Sequence, residues 1–85
     1  MVKGYKVFNS DWTCRDKQYT CPGKFEEEGD LKIYVHGMHF CQAAADCFNY
    51  YDFDNSNKVA EVIAYGKVIT EGDRSCTDKL EIIRE

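Results

Sequence analysis

Two histidines and five cysteines carry the soft and nucleophilic side chains of this 85-residue sequence, and their spacing limits the chemistry they could share. His36, His39 and Cys41 stand close together, with Cys14, Cys21 and Cys47 as further donors of the kind that hold tetrahedral zinc. The spacing opposes a zinc site. There is no Cys-x-x-Cys pair, and on an extended chain His36 faces away from His39 and Cys41 unless Gly37 inserts a bulge. Satisfied histidines and buried thiols are expected instead, with no metal. His39 and Cys41 are also the one close pairing for a cysteine nucleophile, which needs a thiolate beside a base. No third group orients them by sequence. Gly-x-Ser-x-Gly, phosphate-loop, dinucleotide and His-Glu-x-x-His motifs are missing too, so the reading leans away from an enzyme, with no catalytic residue and no cofactor.

The carboxylates form two groups. Asp52, Asp54 and Ser56 imitate the first ligands of a calcium loop, but Asn57 replaces the turn glycine and Ile63 stands where a bidentate Glu belongs. A solvated loop explains the same residues. Glu26-Glu27-Glu28-Gly29-Asp30 is the densest charge cluster. Such a run blocks strand-to-strand aggregation at a sheet edge. It also suits a basic groove on a partner, which makes Glu26, Glu27, Glu28 and Asp30 the partner-binding candidates.

These residues must be positioned by short elements. Tyr5 to Phe8 reads as a first strand, ended by Asn9-Ser10-Asp11. Trp12 to Thr20 is turn-rich, Pro22-Gly23 is the sharpest break, and Lys24 to Glu28 reads as an exposed edge. Leu31, Ile33 and Val35 alternate with Lys32, Tyr34 and His36 as a half-buried strand, which Met38 to Cys41 continues beyond Gly37. From Gln42 the period changes. Ala44, Cys47, Phe48 and Tyr51 share one helical face, predicting a helix near Gln42–Tyr51 followed by a polar loop from Asp52 to Asn57. Lys58 to Tyr65 is a β-branched strand, extended past Gly66 by Lys67 to Thr70, with a turn at Glu71-Gly72-Asp73. Lys79 to Arg84 closes the fold with Leu80 and Ile82 on one face. The expected class is α+β: a twisted, mainly antiparallel sheet with one short α-helix packed on it. Ala44, Cys47 and Phe48 would be buried there with Ile33, Val35 and Val62.

Length and charge bound the rest. Residues 1–85 make a single domain, too small for a deep cleft with a lid. The net charge of −4 and the scattered Lys and Arg disfavour nucleic acid as a direct ligand. No apolar stretch reaches transmembrane length, and Met1 to Tyr5 has no signal-peptide pattern. An odd number of cysteines then reads as reduced thiols, and a cytoplasmic location is expected.

One resemblance spans nearly the whole chain. Its core is Gly37-Met38-His39-Phe40-Cys41, after Gly4-Tyr5-Lys6-Val7-Phe8, Cys14-Arg15, Gln18-Tyr19 and Gly23. Ala60-Glu61-Val62, Gly66, Thr77-Asp78-Lys79-Leu80 and Ile82-Ile83 follow. The pattern resembles an uncharacterised small domain of phages and prophages, found in places before pentapeptide repeats. Asp16-Lys17 stand where that pattern has Gly-Phe. The resemblance implies a host-directed accessory protein that inhibits a bacterial defence effector, as anti-CRISPR proteins do, by occupying a surface. A second, partial resemblance is to the ADP-ribosyltransferase scaffold. It implies a degenerate site for NAD or a related nucleotide, with Lys6, His39 and Glu61 nearest the expected positions, although Lys6 replaces the usual Arg or His. The leading expectation is a non-enzymatic binding protein of an infected or lysogenic host, and the alternative is that nucleotide-binding domain.

Overall fold

The computed structural model describes every residue except 15, 16, 34, 44 and 47–55. The main sheet has the order β1-β6-β9-β4 and is antiparallel throughout. Its strands are β1 (Val2–Phe8), β4 (Gly23–Glu26), β6 (Lys58–Ala64) and β9 (Lys79–Arg84). A second antiparallel sheet, β5-β8-β7, is formed by β5 (Met38–Phe40), β7 (Val68–Glu71) and β8 (Arg74–Thr77). A two-residue ribbon pairs β2 (Thr13–Cys14) with β3 (Lys17–Gln18).

Alternation explains the main sheet. Ala60, Val62 and Ala64 of β6 face inward beside Leu80 and Ile82 of β9, and all five are fully buried. Phe8, Tyr19, Met38 and Phe40 join them in one core cluster. Two devices tie the sheets together. Tyr5 and Cys41 exchange both backbone hydrogen bonds, at 2.7 and 2.9 Å, so β1 meets the end of β5. Asp78 alone separates β8 from β9, so one bent run of chain serves both sheets. The Tyr5–Cys41 seam requires a glycine at position 4, because a Cβ there would lie 2.5 Å from the Cys41 carbonyl oxygen.

Three expectations are corrected. The class is not α+β: the described residues are mostly antiparallel strand and contain no α-helix. In the expected helix, Gln42 and Ala43 form a bend, and the Asp46 amide bonds the Ala43 carbonyl at 3.1 Å. That spacing closes a single 3₁₀ turn rather than an α-helical one. The helical face of Ala44, Cys47, Phe48 and Tyr51 lies outside the described residues, as do Asp52 and Asp54 of the imitation calcium loop.

Leu31, Ile33 and Val35 do not lie in a strand. Lys32 and His36 bond reciprocally at 2.9 Å, and the Val35 amide also bonds the Lys32 carbonyl, closing a tight turn. Gly37 then takes a φ of +117°, a conformation L side chains rarely adopt, and redirects the chain into β5. Val35 is consequently 68% exposed and Ile33 only half-buried, so neither packs in the core with Val62 as expected. Finally, β7 does not extend β6 but joins the second sheet.

Candidate functional site

β1 places Gly4, Lys6 and Phe8 on its inner face, so the register that builds the core also drives a lysine into it. Lys6 is 4% exposed. A buried ammonium needs compensation for the water it loses. Its Nζ donates to the His39 carbonyl at 2.5 Å and lies 5.8 and 5.7 Å from the ring centres of Phe8 and Tyr19. Ring faces carry the negative lobe of the aromatic quadrupole, which attracts a cation. The rings are held in turn by edge-on packing of Tyr19 against Phe8 at 5.2 Å and Phe25 at 4.9 Å.

His39, 3% exposed, sits on β5 opposite Cys76 of β8, and its Nδ1 donates to the Gly37 carbonyl at 3.1 Å. Lys17, on β3, approaches the same Tyr19 ring at 5.7 Å and forms an ion pair with Glu27 at 2.8 Å. These side chains line a recess of about 160 Å³ with Cys14, His36, Gly37 and Met38. His36 closes the rim from outside the strands: its Nε2 donates to the Glu28 carbonyl at 2.5 Å, clasping the acidic loop to the Lys32–His36 turn.

The sequence candidates are divided by this geometry. Lys6 and His39 meet in the recess. Glu61 does not join them. It pairs with Tyr5 in the register, on the opposite face of the sheet from Lys6, and its carboxylate accepts from Arg84 at 2.8 Å. In the acidic run, Glu26 ends β4 opposite Lys79, Glu27 turns inward to Lys17, and Glu28 and Asp30 are exposed with Glu26.

His36, His39 and Cys41 do not converge. Cys41 packs with Val7, Tyr5 and Val59 in a separate apolar cluster. Among the described residues no three His, Cys, Asp or Glu side chains are grouped to hold a metal ion. Cys14, Cys21, Cys41 and Cys76 carry free thiols. Burial pushes the Cys76 thiol above its ordinary pKa, with Arg74 opposing it more weakly, so that thiol is not set up as a nucleophile. Cys47 lies outside the described residues.

Lys17 and Tyr19 were not singled out by the sequence. Nothing in a Lys-Gln-Tyr triplet within a turn-rich passage reports that the ribbon will fold back over β1. The fold and recess define an antiparallel β domain with a hollow lined by Lys6, Lys17, Glu27 and two histidines. The chain belongs to the family DUF7666, a domain of unknown function, whose pattern it matches over residues 2–85. Among curated proteins and among solved structures nothing matches it. Among the described residues, no helix is long and apolar enough to cross a membrane.

Proposed function

We propose that this protein acts by binding a basic protein surface through its acidic edge, without catalysis. The observation that carries the reading is the presentation of Glu26, Glu28 and Asp30. All three are exposed, Glu26 at the end of β4 and Glu28 and Asp30 beyond it, on a segment anchored at its middle by the Lys17–Glu27 ion pair and the His36–Glu28 clasp. An anchored loop loses little conformational freedom when a partner docks. Val35, exposed on the adjoining turn, supplies an apolar contact beside the charges. In the phage context that the sequence resemblance implies, the partner is a host defence effector with a basic groove.

The test uses the whole protein as bait in bacterial lysate, with mass spectrometry of what it retains. Glu26, Glu28 and Asp30 are reversed together to Lys, while Glu27 is left in place because it holds the loop. The expected outcome is loss of the retained partner at an unchanged melting temperature, since exposed charges contribute little to stability. Binding by the unaltered protein should weaken with salt, because screening shortens the reach of surface charge to ~8 Å at physiological ionic strength. A triple variant that still retains the partner sinks the proposal. Two features of the recess oppose the nucleotide alternative. A recess of about 160 Å³ is well below the ~300 Å³ at which sites for drug-sized ligands begin, and Glu61 is on the wrong face.

A further inference from the structure

We infer that the outer edge of β7 is a pairing edge for a second copy of this chain, β7 against β7 in antiparallel register. It shares no residue with the acidic run at the end of β4, so the two readings can fail separately. Position comes first. In the order β5-β8-β7, β7 is the outermost strand and has no neighbour on its outer side among the described residues. Ile69, Thr70 and Glu71 are exposed, which leaves the apolar side chain of Ile69 open to water. The main sheet treats its edges differently. β1 is bonded through Tyr5 to Cys41, and β4 starts after Pro22 and leads into three successive glutamates. Proline and massed charge discourage strand pairing. β7 contains no proline, and the charges at its ends, Lys67 and Glu71, are opposite in sign.

Backbone polarity sets the register. Glu71 and Arg74 flank the two-residue turn Gly72-Asp73, where Gly72 takes a φ of +62°. In such a hairpin the flanking pair exchanges both backbone hydrogen bonds and the next pair exchanges none. Thr70 and Val68 therefore turn their amides and carbonyls away from β8. The same alternation turns the His39 carbonyl away from β8 on the far side of the sheet, where it accepts from Lys6.

These outward groups fit a second β7 about a two-fold axis. Val68 of each copy pairs with Thr70 of the other, and each such pair exchanges both backbone hydrogen bonds. The two Ile69 side chains then meet at the axis, in the closer kind of cross-strand pair. Lys67 of each copy comes opposite Glu71 of the other. Lys-Val-Ile-Thr-Glu is thus complementary to itself when read antiparallel, with an apolar centre between opposite charges. A strand of four residues buries little surface, so the expected dimer is weak and forms as concentration rises.

The experiment is analytical ultracentrifugation of the purified whole chain over a roughly hundredfold range of concentration. The unaltered protein should pass from monomer towards dimer. Lys67→Glu and Glu71→Lys each set like charges opposite one another at two places, and should weaken dimerisation about tenfold. Glu71→Lys brings the negative net charge closer to zero, so its weakening is the reverse of what general repulsion predicts. An equal mixture of the two variants restores opposite charges across the mixed dimer and should associate more tightly than either variant alone. Both positions are exposed, so circular dichroism should show the fold unchanged. A chain that stays monomeric throughout, a dimer indifferent to both reversals, or a mixture no tighter than its components overturns the inference.

Discussion

β8 and β9 are successive parts of one run of chain, yet they are held by different means. β9 buries Leu80 and Ile82 on its inner face, while Glu81 and Ile83, which alternate with them, are half-covered. β8 buries all four of its residues, Arg74, Ser75, Cys76 and Thr77, although three of them are polar. Its hydroxyls are satisfied by specific partners. Ser75 shares a hydrogen bond with Thr70 at 2.8 Å, and Thr77 Oγ1 both donates to the Lys79 carbonyl and accepts from the Lys79 amide at 3.2 Å. One half therefore rests on apolar area removed from water, and the other on hydrogen bonds that replace those lost to water. Burial is common to both; the currency of stability is not.

Substitution should separate the two halves. Leu80→Ala and Ile82→Ala should have the largest effect, about 2–5 kcal/mol each, because both side chains are fully buried and their removal leaves a cavity. Urea denaturation measures it, and a loss below 1 kcal/mol would contradict the core described above. Thr77→Val keeps the shape but removes the hydroxyl, and should cost about 1 kcal/mol. A stabilising Thr77→Val would show that β8, like β9, is held by apolar burial.

Thiol chemistry sharpens the same contrast without altering the chain. At mildly alkaline pH, Cys21, which is half-buried, should alkylate well before Cys76, which is fully buried with its pKa raised by desolvation. Mass spectrometry of timed samples orders them, and equal rates would mean that β8 opens freely. The smallest effect is a control outside both halves. The Thr13 hydroxyl and amide, at 2.6 and 3.1 Å, hold the Asp11 carboxyl below its ordinary pKa. A depressed pKa contributes stability above the unfolded value, lost as pH falls through the folded one. Asp11→Asn should therefore flatten the decline in melting temperature below about pH 4, and an unchanged acid limb would remove that assignment.

The contrast also explains what could be read from the residues. In β9 the alternation of Leu80 and Ile82 with Lys79 and Glu81 is visible in the amino-acid order, whereas in β6 the apolar Val59 and Ile63 on the other face hide the inward set Ala60, Val62 and Ala64, and only the β-branched content marked the strand. The exposed edge at β4 was legible from its glutamates, and the Glu71-Gly72-Asp73 turn from its glycine. Arg74-Ser75-Cys76-Thr77 gave no such signal, because a polar strand covered on both faces has no period in hydrophobicity. Leu31, Ile33 and Val35 misled for the opposite reason: they alternate well, but the reciprocal Lys32–His36 bonds and the Gly37 backbone turn the chain before it can pair. For the site, Lys6 was singled out only through a resemblance, while His39 also stood out by its type and its spacing from Cys41. The residues that enclose them, Lys17 and Tyr19, become neighbours through the folding of the ribbon rather than through spacing.

The position of the β8–β9 run within the chain has a consequence for synthesis. β8 lies between β5 and β7 in its sheet, and β9 lies between β6 and β4 in the other. Both central strands leave the ribosome after every strand they must join. A nascent chain that has exposed residues up to Asp73 can pair β1 with β6, but β4 and β7 have no partner strand. Unpaired strand edges on a growing chain are where aggregation begins. Emergence of residues 74–85 should therefore close both sheets in one cooperative step, and ribosome-stalled chains halted before Arg74 should remain sensitive to protease in β4, β5 and β7.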